Sequence, residues 1–197
     1  MKRIILQMLL LLYSIVVHGQ DILDFRMCDV FKGKVKSITI TSPEMMQSEA
    51  LFFPDGKIKF MKNASFCIEY EWESNDELKL NIKSSQGSEY IYIYINEYRK
   101  DYYEYDMGEG NVKIWFRENG SFDRKETTMN GNKLYSTYYY NNDSDLYPYK
   151  IENRMGTQSQ TIFVNVEKYD PKGNAIEFTN SCNGITIQQK RLITYYE

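Results

Sequence analysis

Asp101, Glu104, Asp106 and Glu109 crowd one short stretch of the chain. Paired carboxylates do glycoside hydrolysis when they flank a cleft about 5–10 Å apart. Any acidic chain offers such a cluster, so the pattern alone names no reaction. Trp72, Trp115 and the tyrosine ladder Tyr90, Tyr92 and Tyr94 suggest different chemistry. Each ring has an apolar face, and tyrosine adds a polar tip, which suits a wet platform for sugar rings or a flat protein epitope. The simpler account of the same residues is cross-strand pairing that fills a thin β core. Asp143, Ser144 and Asp145 follow Asn141 and Asn142 and place side-chain oxygens at alternating spacing, as a hard cation prefers. That loop lacks the glycine and distal glutamate of an EF-hand, and a plain polar turn explains it. No metal site and no cofactor are expected.

The chain holds one histidine, His18. It falls in a segment with the three parts of a secretory leader: Lys2 and Arg3, an apolar run over 4–17, and Gly19 at the exit. The run is shorter than the ~20 residues that span a bilayer. Residues 1–20 are therefore expected to be a signal peptide, cut near Gly19 or Gln20. A mature chain without imidazole builds no Ser-His-Asp triad, Cys-His dyad or His-ligated metal site. Losing Lys2 and Arg3 leaves 22 of the 24 basic residues against 27 acidic ones. An acidic chain without a basic block has no electrostatic reason to bind nucleic acid or anionic lipid. Neither nucleic-acid binding nor membrane insertion of the mature chain is expected. Cys28, Cys67 and Cys182 form an odd set without C-x-x-C spacing, and their pairing is not readable from sequence.

The elements that must position these residues are strands. Residues 88–95 alternate so that the tyrosines share one face while Ile91, Ile93 and Ile95 share the other. Similar runs occupy 35–40, 50–53, 57–60, 66–72, 78–82, 102–105, 112–116, 133–140, 162–169, 175–179 and 185–195. Residues 21–31 have room for a short helix. Residues 47–49 and 156–160 read as polar loops, and periodicity is lost over 45–47 and 138–155. Between the runs lie reversals such as Pro54-Asp55-Gly56 and Asp170-Pro171-Lys172-Gly173. Glycine there supplies the positive φ that a tight hairpin needs. No linker divides the chain, so residues 21–197 are expected to form a single all-β domain, an antiparallel meander of hairpins.

Tyr169-Asp170-Pro171-Lys172-Gly173-Asn174, with the closing Ile193-Thr194-Tyr195-Tyr196, resembles the YD (RHS-type) repeats of secreted bacterial proteins. The segment from Phe31 to Ile38 looks like the opening strand of small exported Bacteroidetes proteins that carry such repeats. The resemblance implies β-hairpins stacked into an extended or curled sheet, with scaffold roles and no catalytic residues of its own. A closed lipocalin-like barrel is the architectural alternative, because closure buries sheet edges. The expected function is that of an exported, non-enzymatic β-repeat protein that binds an unknown protein or glycan or serves as an envelope scaffold. A small-ligand carrier with a barrel lumen and a carboxylate-dependent envelope hydrolase are the alternatives.

Overall fold

A computed structural model describes residues 31–43, 45–85, 87–99 and 101–197. The leader, Cys28 and the helical segment expected before Phe31 lie outside the described residues. The chain runs through β1 (Val35–Ser42), β2 (Met45–Phe52), β3 (Ile58–Asn63), β4 (Phe66–Trp72) and β5 (Glu77–Ser84). It continues through β6 (Gly87–Tyr98), β7 (Tyr102–Met107), β8 (Gly110–Phe116), β9 (Phe122–Met129) and β10 (Asn132–Tyr139). It ends with β11 (Lys150–Met155), β12 (Gln158–Tyr169), β13 (Ala175–Cys182) and β14 (Ile185–Tyr195). Among the described residues each strand pairs with the next, and β1 pairs antiparallel with β14. Ile38 lies opposite Ile193 at this seam, and the hydroxyls of Ser37 and Thr194 approach to 2.6 Å. The antiparallel meander is thus closed into a barrel, and no ladder is left with a free edge.

Alternation sorts the side chains between two faces. Wide barrels leave an aqueous channel, whereas side chains alone fill the interior of a barrel of about eight strands. Here the inward Ile38, Ile58, Ile114 and Ile162, on four well-separated strands, are all 0% exposed. The inner face around them is therefore packed away from water. The outer wall carries cross-strand charge pairs, such as Lys62 with Glu49 at 2.9 Å, Lys83 with Glu69 at 2.6 Å and Lys133 with Glu126 at 2.9 Å. Each exposed pair is screened by water and adds little to stability. Their larger effect is to hydrate the wall and fix strand register.

The two ends of the barrel differ in turn chemistry. At one end, Asn130-Gly131 and Asn183-Gly184 make two-residue hairpins with both φ angles positive (48° and 78°, 50° and 79°). At the other end one five-residue closure occurs three times, over 53–57, 117–121 and 170–174. In each, the first N–H donates to the fifth carbonyl at 2.8 Å and the fourth N–H donates back to the first carbonyl at 2.9 Å. The fourth residue is Gly56, Gly120 or Gly173, at φ 90°, 86° and 85°. A side-chain carboxylate supports two of these turns: Asp55 accepts from the Lys57 N–H at 3.1 Å, and Asp170 from the Lys172 N–H at 2.9 Å.

Several stretches read as irregular are strands. Residues 47–49 belong to β2 and 158–160 to β12, β11 lies within the stretch where periodicity is lost, and β9 falls where no run is assigned. The reason is local: β9 and β11 turn Lys125 and Asn153 inward, so polar residues stand where alternation would place apolar ones.

Candidate functional site

β6 turns Ile93 inward at 2% exposure, so Tyr90, Tyr92 and Tyr94 must point outward, and they are 55%, 40% and 48% exposed. The Tyr92 and Tyr94 rings are stacked, with centroids 6.4 Å apart and planes 15° from parallel. Other exposed large side chains, such as Tyr135, Phe163 and Leu192, stand on separate strands. A strip of three aromatic rings on one outer strand is the feature of this wall that core packing does not explain.

Polar groups flank the strip on both sides. On β5, Asn81 lies opposite Tyr90, Lys79 opposite Tyr92 and Glu77 opposite Tyr94. The Lys79 ammonium sits 4.5 Å from the Tyr90 ring centre and is paired with Glu71 at 3.1 Å. Asn81 is only 8% exposed; its Nδ2 donates to Glu69 at 3.2 Å, while its buried Oδ1 accepts no hydrogen bond. On the other side, Asp106 of β7 lies opposite Tyr94. The Asn111 amide donates to Glu104 at 3.0 Å and to Asp106 at 2.9 Å. Tyr102 donates to Glu104 at 2.5 Å and Asn96 to Asp106 at 2.8 Å.

These hydrogen bonds decide the acid–base character of the cluster. The bond from Tyr102 holds the Glu104 carboxyl below the usual carboxylate range, and the Asn111 and Asn96 amides do the same for Asp106. A glycosidase acid must instead keep its proton near neutral pH, which requires a raised value. Glu104 and Asp106 are therefore fixed hydrogen-bond acceptors on an outer wall. Asp101 extends into solvent with its side chain 75% exposed.

The two tryptophans stand apart from each other. Trp72 turns inward with Ile68 and Tyr70 and packs against the core; its indole N–H donates to the Ile58 carbonyl at 3.0 Å. Trp115 faces outward on β8, tilted against Tyr102 at 5.2 Å and covered by the Arg124 guanidinium at 4.2 Å. The structure thus keeps the three tyrosines as one strip, puts Trp115 on the same wall and sends Trp72 to the opposite face. In the 141–145 loop, the carbonyls of Asp143 and Asp145 accept from Asn119 at 2.9 and 3.0 Å, and those of Asn142 and Asp145 accept from Arg117. Of the side-chain oxygens expected to suit a cation, Asp143 Oδ1 meets the Arg117 guanidinium at 3.0 Å and Asp145 Oδ2 accepts from the Asn142 N–H at 3.0 Å. Cys67 on the outer face and Cys182 on the inner face are free thiols.

Sequence reasoning missed a polar half of the interior. Lys125, Ser136 and Asn153 form one inward row across β9, β10 and β11, and Asn180, Gln189 and Arg191 continue the polar lining on β13 and β14. Its signal is in β14, where Gln189 and Arg191 share the inward parity of Ile187 and Ile193. Burial pushes the Lys125 amine down to about 7 from its ordinary 10.5. Between those values the unfolded chain holds a proton that the folded chain does not, so stability falls as pH drops toward 7. Raising the pH from 7 to 9 should therefore stabilise the protein relative to Lys125→Met by at most about 1.4 kcal/mol per pH unit. Urea denaturation at both pH values reads this, and an equal pH response in the two proteins would contradict it.

Fold and surface together define a closed antiparallel β-barrel with a charged outer wall, an inner face buried from water and one exposed aromatic strip. No family model, curated protein or solved structure matches the chain.

Proposed function

We propose that the protein is an exported, non-enzymatic binding or envelope-scaffold module whose working surface is the outer wall around β6. The observation that carries this reading is the exposed Tyr90–Tyr92–Tyr94 strip on a barrel whose inner face is packed. Its partner is a protein or a glycan. The charge pairs around the wall support a hydrated barrel over a bilayer-inserted one, whose lipid-facing side would carry an apolar band. The threefold five-residue turn supports descent from degenerate YD-like hairpin repeats. The leader-like sequence of residues 1–20 supports export.

A second reading, a carrier that holds a small ligand inside the barrel, draws on the buried polar row of Lys125, Ser136 and Asn153.

Hydroxyl-radical footprinting separates the two without knowledge of the ligand. In the purified protein Tyr90, Tyr92 and Tyr94 should be oxidised, while Tyr103 and Tyr105, each 2% exposed, stay protected. In the isolated envelope fraction the strip should become protected at least several-fold. Equal oxidation of the strip in both samples would overturn the outer-wall reading.

A further inference from the structure

We propose that the β6 strip binds a neutral polysaccharide chain, laid along the strand over Tyr92 and Tyr94 with its hydroxyls bonded by the flanking carboxylates and amides. This rests on the outer-wall reading above and names the ligand class of that surface.

Three observations lead there. First, the Tyr92 and Tyr94 rings stand 6.4 Å apart along the strand, and an aromatic face accepts the C–H face of a pyranose without displacing bound water at a cost in hydrogen bonds. Second, the groups beside the rings suit hydroxyls. Glu104 and Asp106 are held as carboxylates, which only accept, while Asn96 keeps one amide hydrogen beyond its bond to Asp106 and Asn111 spends both of its own on the two carboxylates. At the Tyr90 end, the Asn81 Oδ1 is buried without a donor. An unmet buried acceptor costs free energy, so Asn81 marks the Tyr90 end as a place where the fold alone leaves a polar group unmet.

Third, the local charges are matched in place. Lys79 pairs with Glu71, Lys83 with Glu69 and Lys113 with Glu104. The strip therefore offers little net field to a charged polymer, and the Asp106 carboxylate opposite Tyr94 disfavours a polyanion. A protein partner would favour a central apolar anchor surrounded by less polar contacts. Here every ring is bordered by charged or amide groups. A neutral, hydroxyl-rich chain fits both the rings and the border.

Affinity gel electrophoresis of the purified protein tests this, with hydroxyethylcellulose, galactomannan or arabinoxylan cast in the gel and polygalacturonate as the polyanion. At least one neutral polymer should retard the protein, and polygalacturonate should not. The double variant Tyr92→Ala/Tyr94→Ala should bind that polymer at least tenfold more weakly with an unchanged unfolding midpoint. Tyr135→Ala, on β10, should bind like the parent. No retardation by any neutral polymer, equal retardation of the double variant, or equal retardation by polygalacturonate would overturn the proposal. If the strip is protected in the envelope fraction but no neutral polymer binds, the ligand class fails and a protein partner takes its place. If neither occurs, the outer-wall reading fails as well.

Discussion

Asn174→Ala should destabilise the protein by about 2–4 kcal/mol, the largest loss expected of any single polar substitution in the barrel. Asn174 is 0% exposed and its amide ties three segments together. Its Oδ1 accepts from the Lys32 N–H at 2.6 Å, and its Nδ2 donates to the Lys32 carbonyl at 2.9 Å and to the Tyr195 hydroxyl at 2.7 Å. Tyr195 in turn donates to Asp170, which also accepts from the backbone N–H groups of Lys172 and Asn174. The amide thus acts as a peptide mimic that holds the segment leading into β1 against the β12–β13 turn. Alanine leaves the Lys32 backbone groups and Tyr195 without these partners at a half-buried site. For a chain of this length the melting temperature should fall by about 5–15 °C. Asn174→Asp keeps an acceptor for Lys32 but removes the donor and buries a second carboxylate beside Asp170, and should lose at least as much. A change below about 1 kcal/mol for Asn174→Ala would mean that the segment is held by other contacts.

Ile93→Ala should cost about 2–5 kcal/mol, the usual range for truncating a fully buried aliphatic side chain. Ile93 lies opposite Leu78 on one side and Met107 on the other, inside a core whose neighbours cannot collapse into the gap without moving a strand. Tyr92, one residue earlier, is 40% exposed on the other face. Its truncation removes little buried area, and Tyr92→Ala should change stability by less than about 1 kcal/mol. Equal losses for the two variants would mean that β6 does not present these faces as described.

The strand content was legible because most strands alternate in the ordinary way. Tyr90 to Ile95 reveals its two faces to anyone counting by twos, and the glycines at 56 and 173 reveal their turns. β9 and β11 were not legible, since inward Lys125 and Asn153 erase the apolar period that marks a buried face. Barrel closure was legible only as an alternative. The pairing of Ile38 with Ile193 joins residues at opposite ends of the chain, and no local pattern encodes such a contact. The tyrosine strip could be grouped from sequence, but whether it faced core or water depended on how the sheet closed. Trp72 was grouped with it on residue type alone. Its inward direction follows from sharing parity with Ile68 and Tyr70, which is readable only once that face is known to be the core. The Asn81 and Asn111 contacts depend on cross-strand register, which the turn sequences alone do not determine.

Tyr92 and Ile93 are adjacent in sequence and opposite in space, which makes them the sharpest probe of a barrel that works through its outer wall. Retention on isolated envelope material and thermal unfolding should be measured together for Tyr92→Ala, Ile93→Ala and the parent protein, below the melting range of all three. The account expects Tyr92→Ala to lose retention at least several-fold with its melting temperature nearly unchanged. It expects Ile93→Ala to melt well below the parent and to be retained like it. If Ile93→Ala lost retention while still folded and Tyr92→Ala kept it, the working surface would lie inside the barrel, and the outer-wall account would be wrong.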